Sequence, residues 1–150
     1  MPKEIEHKFL VRRELLPKLP APSRLIQGYL CIRPTVRVRL ATRGKSTKAW
    51  LTIKGPGLLA REEFEYSIPA AEAKQLLKLC GSAVLEKNRY KVKGWEIDEF
   101  LGRHTGLWMA EYELKSVRGK LPKLPEWVGA EVTSDGQYTN ASLALGAGVP

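Results

Sequence analysis

The segment Glu4-Ile5-Glu6-His7-Lys8-Phe9-Leu10, close to the beginning of the chain, decides the fold. In a β-strand, successive side chains point to opposite faces of the sheet. Glu4, Glu6 and Lys8 therefore share one face of a predicted strand, and the residues between them share the other. A single strand of this kind is ordinary, because the polar face of an antiparallel sheet usually meets water. The repetition of the pattern along the chain makes it informative.

The same two-residue period returns in six further segments, which are Val36–Leu40, Trp50–Lys54, Arg61–Tyr66, Lys87–Tyr90, Glu96–Asp98 and Glu111–Leu114. With one face counted per strand, the seven segments hold eight carboxylates, namely Glu4, Glu6, Glu63, Glu65, Glu96, Asp98, Glu111 and Glu113. The same faces hold seven bases, namely Lys8, Arg37, Arg39, Lys54, Arg61, Lys87 and Arg89. Solvated strand faces usually mix Thr, Ser, Lys, Gln and Glu, whereas these faces use Arg and Glu in repeated pairs.

Two arrangements fit this pattern. In the first, the sheet is one-sided and its charged face is solvated. In the second, the sheet closes into a barrel with the charged faces inward. Such a lumen is too costly to desolvate empty, so it stays wet or holds ions and a charged ligand. The apolar faces then point outward, where we expect the helices, the Pro-rich loops and a second copy of the chain, in a possible homodimer, to cover them.

The length and composition predict one globular domain over residues 1–150, with 43% hydrophobic residues. The N-terminus is charged from Lys3 onward, and no apolar run approaches the length of a signal sequence or a membrane span. We therefore expect a cytoplasmic protein without a membrane partner. Cys31 and Cys80 fit that compartment as free thiols. Two cysteines and two histidines without close spacing give no zinc signature.

The net charge of +9 comes from 25 Lys and Arg against 16 Asp and Glu. Taking away the charged-face residues leaves 18 bases and 8 acids, so the excess lies outside the proposed lumen. A basic exterior attracts polyanions, and nucleic acid is the usual suggestion. The bases form no run and no aromatic–basic platform, which makes nucleic acid an unlikely partner.

The remaining elements are predicted from turn residues and periodicity. We expect a first strand to Val11 and a second at Arg24–Ile32 with a bulge at Gly28. A helix at Ala70–Cys80 is followed by a hairpin of Val84–Lys93 and Trp95–Leu101 and by a strand at Leu107–Val117. A short helix through Leu145 is capped by Ser134 or Asp135. His104 lies between Gly102 and Gly106 in a predicted loop, where a surface histidine is expected. Trp50 shares the face of Lys54, and packing at a strand end is favoured over stacking on an organic ligand.

Taken together, these motifs resemble the CYTH domain of the triphosphate tunnel metalloenzymes. The resemblance is colinear over nearly the whole chain, and the opening segment looks most like the short bacterial inorganic triphosphatases. It implies an α+β, mainly antiparallel β fold, in which an eight-stranded closed β-barrel tunnel with a charged lumen is flanked by a few helices. It also implies a triphosphate substrate with Mg²⁺ or Mn²⁺. This chain has Gly136-Gln137-Tyr138-Thr139-Asn140 where short relatives commonly carry a basic pair before the tyrosine.

The resemblance also implies roles for individual residues. Glu4, Glu6, Glu111 and Glu113 would hold the metal that bridges the phosphates, and Glu63, Glu65 and Asp98 are candidates for a second metal or for positioning its water. The expected phosphate ligands are Lys8, Arg37, Arg39, Lys54, Arg61 and Arg89. Lys87 would be the general base for the attacking water, with one more phosphate contact as the alternative. Independently of the resemblance, a lysine crowded by cations has a lowered pKa.

The leading hypothesis is therefore a metal-dependent inorganic triphosphatase that cleaves tripolyphosphate to pyrophosphate and phosphate. An enzyme of the same fold that acts on an organic triphosphate, such as thiamine triphosphatase, a nucleoside triphosphatase or a class IV adenylate cyclase, is the first alternative. The compact chain, with few residues for a base pocket, favours the inorganic substrate. A non-catalytic module that binds polyphosphate or nucleic acid is the alternative of another class. Its interleaved carboxylates would repel a polyanion unless a metal intervened.

Overall fold

The computed structural model describes residues 3–150. The strands in this range are β1 (Lys3–Val11), β2 (Ser23–Ile32), β3 (Thr35–Arg43), β4 (Ser46–Lys54), β5 (Ala60–Ile68), β6 (Val84–Val92), β7 (Trp95–Phe100), β8 (Trp108–Glu113) and β9 (Val128–Glu131). The α-helices are α1 (Ala70–Leu79) and α2 (Asn140–Leu145). Short 3₁₀ turns occupy Arg13–Leu15, Gly102–His104 and Gly136–Tyr138.

Strand β1 closes the sheet into a barrel. Its first residues, Lys3–Ile5, pair with β5, and Glu6–Leu10 pair with β8. The strand order β5-β4-β3-β2-β6-β7-β8-β1 therefore returns to β5, and every pairing is antiparallel. The short strand β9 pairs with the far end of β1. The predicted eight-stranded barrel is confirmed, with β9 as one additional strand.

The outer apolar faces are covered in large part by the chain itself. Helix α1 places Ala73 on a buried cluster with Val38 and Leu40 of β3. On the other side, Trp127 packs edge-on against Trp95, and both belong to a buried cluster with strands β1, β7 and β8. The expected covering of the outward apolar faces is found for α1 and the loop around Trp127, whereas α2 packs against inward-facing residues at one end of the barrel.

The barrel interior is charged along most of its length and apolar at one end. Leu85, Phe100 and Met109 lie on the inward faces of β6, β7 and β8 and form a buried cluster with Leu143 and Ala144 of helix α2. Helix α2 therefore seals this end of the barrel with hydrophobic contacts. The next inward-facing residue along each of these three strands is charged.

His104, expected at the surface, is buried with 1% of its area exposed. Its Nε2 atom lies 2.6 Å from the carbonyl oxygen of Leu143 in α2, and its ring meets the edge of Phe100. Burial lowers the pKa of His104, so the neutral ring donates to that carbonyl. Arg103 donates to Gly146 O at 2.9 Å, next to the end of α2. The turn at Gly102–His104 therefore holds α2 in place.

Two features differ from the sequence expectations. Strand β8 ends at Glu113 instead of Val117, because β7 begins at Trp95, opposite Tyr112, and offers no partner beyond it. The C-terminal segment forms two short helical pieces instead of one. Asp135 caps the 3₁₀ turn by accepting from Gln137 N, and Thr139 caps α2 by accepting from Ser142 N at 3.1 Å.

Gly28 is not a bulge, because the register shift of β2 lies between Tyr29 and Cys31. Gly28 instead lets the end of α1 approach the sheet. A β-carbon at this position would lie 2.7 Å from the Sγ atom of Cys80 and 2.9 Å from its β-carbon. Both cysteines are free thiols, as expected, and Cys80 is the buried one. Among residues 3–150, no helix is long and apolar enough to cross a membrane.

We predict that Gly28→Ala destabilises the protein by about 1–3 kcal/mol, because the added methyl group forces Cys80 and α1 away from the sheet. Urea unfolding of the wild type and the variant measures the change. Gly136→Ala is the matched control, since no atom lies within 4 Å of its β-carbon position. Equal stability changes in the two variants would contradict the close packing of α1 on β2.

Candidate active site

A cavity of about 790 Å³ occupies the charged part of the barrel. Its acidic lining residues are Glu4, Glu6, Glu63, Glu65, Glu96, Glu111 and Glu113, and its basic ones are Arg33, Arg37, Arg39, Lys54, Arg61 and Arg89. The charged faces therefore point inward, and the alternative of a one-sided solvated sheet is wrong. Three predicted site residues, Lys8, Lys87 and Asp98, are buried but do not line this cavity.

The register of three neighbouring strands brings carboxylates together. Glu6 of β1 pairs directly with Glu113 of β8, and Glu111 of β8 pairs directly with Glu96 of β7. Side chains of directly paired residues lie on the same face, with β-carbons about 4.5–5.5 Å apart. Strands β1, β8 and β7 therefore carry an acidic strip across one side of the cavity.

Glu6, Glu96 and Glu111 form a tight oxygen cluster within this strip. One carboxylate oxygen of each lies within 4.8 Å of the other two. Burial raises the pKa of Glu6 well above its usual range, and the neighbouring Glu111 and Glu4 carboxylates raise it further. Hard divalent cations prefer such oxygen ligands, and a bound cation would keep all three ionised. The donor set therefore fits the metal that the sequence predicts.

Glu96 belongs to this cluster, although the sequence analysis did not include it among the metal ligands. The charged-face pattern identified Glu96 and Asp98 together, one alternation apart on the same strand. Only the register of β7 against β8, which pairs Glu96 with Glu111, distinguishes the two residues. That register cannot be obtained from the alternation alone.

Glu4, a predicted metal ligand, is held by cations in this structure. Both of its carboxylate oxygens lie 2.8 Å from Lys54 Nζ, and Arg61 Nε lies 3.4 Å from one of them. Burial alone would raise the pKa of Glu4, but Lys54 and Arg61 outweigh it and lower the pKa to about 2. In this structure Glu4 therefore lies in an ion pair with Lys54 and Arg61, outside the oxygen cluster.

The other predicted acidic ligands line the cavity outside the cluster. Lys54 Nζ lies 3.4 Å from Glu63, and Glu65 accepts a hydrogen bond from Thr52 at 2.8 Å. The pKa of Glu63 is raised by burial and by Glu4, and the pKa of Glu113 is raised by burial, Glu4 and Glu96. Two carboxylates with raised pKa values in the cavity wall favour a cation in the cavity, because a cation would offset the repulsion between them.

Asp98 is not brought to the cavity, and both of its oxygens are engaged. Lys87 Nζ lies 2.7 Å from Oδ2, and Arg89 donates to Oδ1 at 2.8 Å and to Oδ2 at 2.9 Å. Burial would raise the pKa of Asp98, but these two cations lower it below the usual value. Asp98 therefore acts as a buried counter-ion that orients Arg89, whose guanidinium does line the cavity.

Lys87, the predicted general base, is fully buried at 0% exposure. Its ammonium nitrogen lies 3.0 Å from Oδ1 of Asn140, a cavity-lining residue, as well as 2.7 Å from Asp98. The pKa of Lys87 is lowered to about 7, first by burial and then by Arg89 and Arg39 against the opposing effect of Asp98. The sequence argument predicted a lowered pKa from nearby cations, but burial contributes more.

The phosphate ligands predicted from the sequence include one unsatisfied donor. Arg37 donates through Nη2 to Thr52 at 3.2 Å, whereas its Nε atom is buried and has no hydrogen-bond partner among residues 3–150. A buried donor left unpaired costs about 1–3 kcal/mol. The position of Arg37 in the cavity wall suits it to an anionic oxygen. Lys8, in contrast, is buried and does not line the cavity, and its Nζ atom lies 3.8 Å from Glu111.

The sequence analysis missed three uncharged residues at the site. Gln27 and Tyr29 lie on the inward face of β2, next to Arg39, and Asn140 contacts Lys87 from the beginning of α2. The two-residue period of Leu25, Gln27 and Tyr29 was a signal for the inward face of β2, but a search for charged faces does not detect it. Asn140 lies in the segment where short relatives commonly carry a basic pair.

The chain is similar to proteins of known activity over almost all of its length. It is 41% identical to an inorganic triphosphatase of Acetivibrio thermocellus over 149 residues, which covers 95% of this chain and 94% of the relative. It is 36% identical to an inorganic triphosphatase of Nitrosomonas europaea over 150 residues, with 95% and 97% covered.

Solved structures agree with this likeness. The crystal structure of an inorganic triphosphatase, 31% identical in sequence, matches with a TM-score of 0.65 and covers 97% of both chains. A protein of Pyrococcus horikoshii matches with a TM-score of 0.53 over 77% of this chain and 80% of its own, and at 21% identity it supports the fold alone. The CYTH domain family itself matches residues 2–142. With its closed barrel, inward charged faces and carboxylate cluster, the chain belongs to the CYTH domain family.

Proposed function

We propose that this protein is a metal-dependent inorganic triphosphatase that hydrolyses tripolyphosphate to pyrophosphate and phosphate. Two relatives that carry this name align over nearly their whole length. The observation that carries the proposal is the cluster of Glu6, Glu96 and Glu111 oxygens within 4.8 Å, in the same cavity as the arginines. Carboxylates for a cation and guanidinium groups for phosphates are the two components that phosphoryl transfer requires.

The charge of the cavity wall supports a metal together with a polyanion. Within residues 3–150, seven carboxylates and six cationic side chains line the cavity. A polyphosphate alone would meet more negative than positive groups. A divalent cation on the acidic strip changes this balance and leaves the arginines free to bind phosphate oxygens bidentately. The family is one of metal-dependent enzymes, and Mg²⁺ or Mn²⁺ is the proposed ion.

The roles of the residues follow from their positions. Glu6, Glu96 and Glu111 would hold the cation, and Glu4, Glu113, Glu63 and Glu65 line the adjoining wall. When bound, the cation supplies electrostatic stabilisation of the charge that develops on the phosphate oxygens. Arg37, Arg39, Arg61 and Arg89 orient the chain of phosphates for in-line attack by water. Lys54, which also lines the cavity, adds a further positive charge.

Lys87 is the proposed general base, acting through Nζ on a water that reaches it past Asn140. With a pKa of about 7, a substantial fraction of the amine is neutral near neutral pH, and only the neutral amine accepts a proton. The competing role is structural, since Lys87 also helps to fix Asp98 and thereby Arg89. The two roles differ in their effects on kcat and on its pH dependence.

An organic triphosphate is the second candidate substrate, and one observation favours it. Ile32, Leu58 and Leu145 line the same cavity with 44%, 42% and 54% of their areas exposed. Apolar side chains at a charged cavity suit an organic group attached to the triphosphate. Trp50 does not line the cavity, so no aromatic platform from β4 supports stacking. The names of the two relatives favour the inorganic substrate, and so does the compact chain, which has few residues for a base pocket.

The non-catalytic module remains the alternative of another class. It makes no use of the carboxylate cluster, whereas the enzyme depends on it. The predicted cytoplasmic location and the possible homodimer stay predictions. The exposed ring of Tyr66, at 54%, on the outer face of β5 is the surface that a second copy would cover first.

The first prediction concerns substrate and metal. Phosphate release from tripolyphosphate should be rapid with Mg²⁺ or Mn²⁺, abolished by EDTA, and slower from ATP and thiamine triphosphate. Glu111→Gln should lower the rate at least about a hundredfold, because it removes a negatively charged oxygen from the cation site. Glu99→Gln is the matched control, since Glu99 bonds Asn88 and Tyr90 outside the cavity. Metal-independent, salt-sensitive binding without hydrolysis would instead support the non-catalytic module.

The second prediction concerns Lys87. If Lys87 is the general base, kcat rises with pH through about 7, because deprotonation creates the active form. Lys87→Met should lower kcat by about 10²–10⁴-fold and remove this rise. A variant that raises KM while the pH dependence of kcat persists would identify Lys87 as a structural anchor of Asp98. Kinetic profiles from pH 5.5 to 9 distinguish the two results.

The third prediction concerns the apolar side chains of the cavity. Leu58→Ser should leave KM for tripolyphosphate unchanged, because an inorganic chain makes no apolar contact. It should raise KM for thiamine triphosphate or ATP about fivefold, the effect expected from losing part of a leucine contact. Leu79→Ser, at an exposed position on α1 outside the cavity, is the control. A higher KM for tripolyphosphate in Leu58→Ser alone would show that these side chains also act on the inorganic substrate.

A further inference from the structure

Of three side chains that surround the Lys87 ammonium group, Asn140 is the one that does not belong to the sheet. Lys87 Nζ lies 2.7 Å from Asp98 Oδ2 and 5.3 Å from the centre of the Phe100 ring. Both of these neighbours belong to β7, whose register against β6 sets their distance from Lys87. Oδ1 of Asn140 lies 3.0 Å from the same nitrogen, and Asn140 is the first residue of α2. Its place beside Lys87 therefore depends on how α2 is held.

The apolar packing of α2 does not fix this position by itself. Leu143 and Ala144 are buried in the cluster that seals one end of the barrel. Hydrophobic contacts are non-directional, so they tolerate a small rotation of a helix or a small shift along its axis. Helix α2 has only 6 residues, and a helix of this length is marginal without outside support. Directional contacts at its ends must therefore define where it begins.

Arg103 and His104 supply directional contacts at the C-terminal end of α2. Arg103 donates through Nη2 to Ala144 O and through Nε to Gly146 O at 2.9 Å. His104 donates through Nε2 to Leu143 O at 2.6 Å. The last carbonyl groups of a helix have no partner within it, and a basic side chain is favoured beside them by the helix dipole. The two side chains thus bind three carbonyl groups around the end of α2.

The turn that carries these two side chains is itself fixed to the barrel. Just after the end of β7, Leu101 N donates to Glu86 O of β6 at 3.0 Å. The edge of the His104 ring meets the Phe100 ring, which in turn faces Lys87 Nζ. Contacts from this turn therefore reach Lys87 along two routes, one through Phe100 and one through α2.

Only a short distance separates the contacts of Arg103 from Asn140. Ala144 follows Asn140 by about one helical turn, which corresponds to about 6 Å along the axis of α2. A helix this short transmits a shift at one end to the other end almost unchanged. A misplacement of about 1 Å near a catalytic group can lower the rate by about a hundredfold. The loss of the carbonyl contacts should therefore disturb the contact between Asn140 and Lys87.

We propose that Arg103 and His104 are positioning residues for hydrolysis, which hold α2 by its last carbonyl groups so that Asn140 stays beside Lys87. This inference rests on the proposed triphosphatase function, in which Lys87 is the general base. Neither Arg103 nor His104 lines the cavity, so both act through α2 and not on the substrate. The turn at Gly102–His104 thereby takes part in the reaction from outside the site.

Arg103→Met tests the inference, because it removes the bonds to the carbonyl groups of α2 and leaves the apolar cluster in place. With tripolyphosphate and Mg²⁺, kcat should fall about tenfold, since the surroundings of the general base are disturbed. KM should change by less than about twofold, because the cations of the cavity keep their positions. Arg118→Met is the matched control, since Arg118 is exposed and does not line the cavity. Melting temperatures show whether both variants fold.

His104 allows a conservative rescue. His104→Leu removes the donor to Leu143 O and should lower kcat about tenfold. His104→Gln keeps an N–H donor on a side chain of similar reach and should retain most of the wild-type kcat. Equal losses in the two variants would contradict a role for this hydrogen bond.

A double-mutant cycle separates positioning from a purely structural role. Asn140→Ala removes the side-chain contact with Lys87 and should itself lower kcat. If Arg103 acts through Asn140, adding Arg103→Met to Asn140→Ala should lower kcat by less than about a further twofold. A purely structural role for Arg103 would give the same tenfold loss in both backgrounds, together with a lower melting temperature.

A measurement without turnover tests the link between Arg103 and Asn140 directly. In the ligand-free protein, Arg103→Met should shift the side-chain amide signal of Asn140 in a proton–nitrogen NMR spectrum. The amide signal of Asn88, which bonds Glu99 outside the cavity, should stay in place. An unchanged Asn140 signal would overturn the positioning role, whatever the activity of the protein.

The outcomes separate this inference from the proposed function. Wild type that cleaves no tripolyphosphate would overturn the proposed function and the catalytic role of this turn. Active wild type with an unchanged kcat in Arg103→Met, or with additive losses in the cycle, would overturn the inference and leave the function intact. A shifted Asn140 signal, with a tenfold and non-additive loss of kcat that Arg118→Met does not share, would support the complete proposal.

Discussion

The double pairing of β1 is the constraint on which the rest of the structure depends. Its first three residues complete the barrel against β5, and the next five pair with β8. Without this closure, the charged faces would form the solvated side of an open sheet. With it, Glu4 and Glu6 are both buried, Glu4 opposite Arg61 of β5 and Glu6 opposite Glu113 of β8. One strand thus determines that the charges face each other.

Closure makes charge pairing obligatory, because ionised groups removed from water are costly unless they are paired. Most interior charges meet this requirement, as Glu4 does with Lys54 and Asp98 with Arg89. The exceptions are concentrated at the cavity. Among residues 3–150, Glu6 forms no ion pair, although Glu96 and Glu111 beside it contact Arg89, and Arg37 Nε lacks an acceptor. Natural proteins tolerate such local conflicts mainly at functional sites, and here the conflicts call for a cation and an anion together.

Alternation predicted which side chains share a charged face, because a period of two fixes the two faces of a strand. It left both a one-sided sheet and a closed barrel open, and the resemblance to the CYTH domain predicted the barrel. The roles of individual residues depend on register and packing, which alternation does not contain. Asp98 and Glu96 share a face and both contact Arg89, yet only Glu96 lies opposite a carboxylate, Glu111, in the register with β8. His104 was mistaken for a surface residue because its partner, Leu143, is distant in sequence.

The location of the hydrophobic core explains how the protein supports so polar an interior. The buried aromatic cluster of Trp95, Trp127 and Phe9 lies outside the barrel, and a second apolar cluster seals one end under α2. Apolar burial therefore stabilises the outer shell and the end of the barrel, and the charged middle of the barrel can bind a ligand. In such an arrangement, the residues that bind substrate need not also supply the free energy of folding. The site can accordingly retain an unsatisfied buried group such as Arg37 Nε.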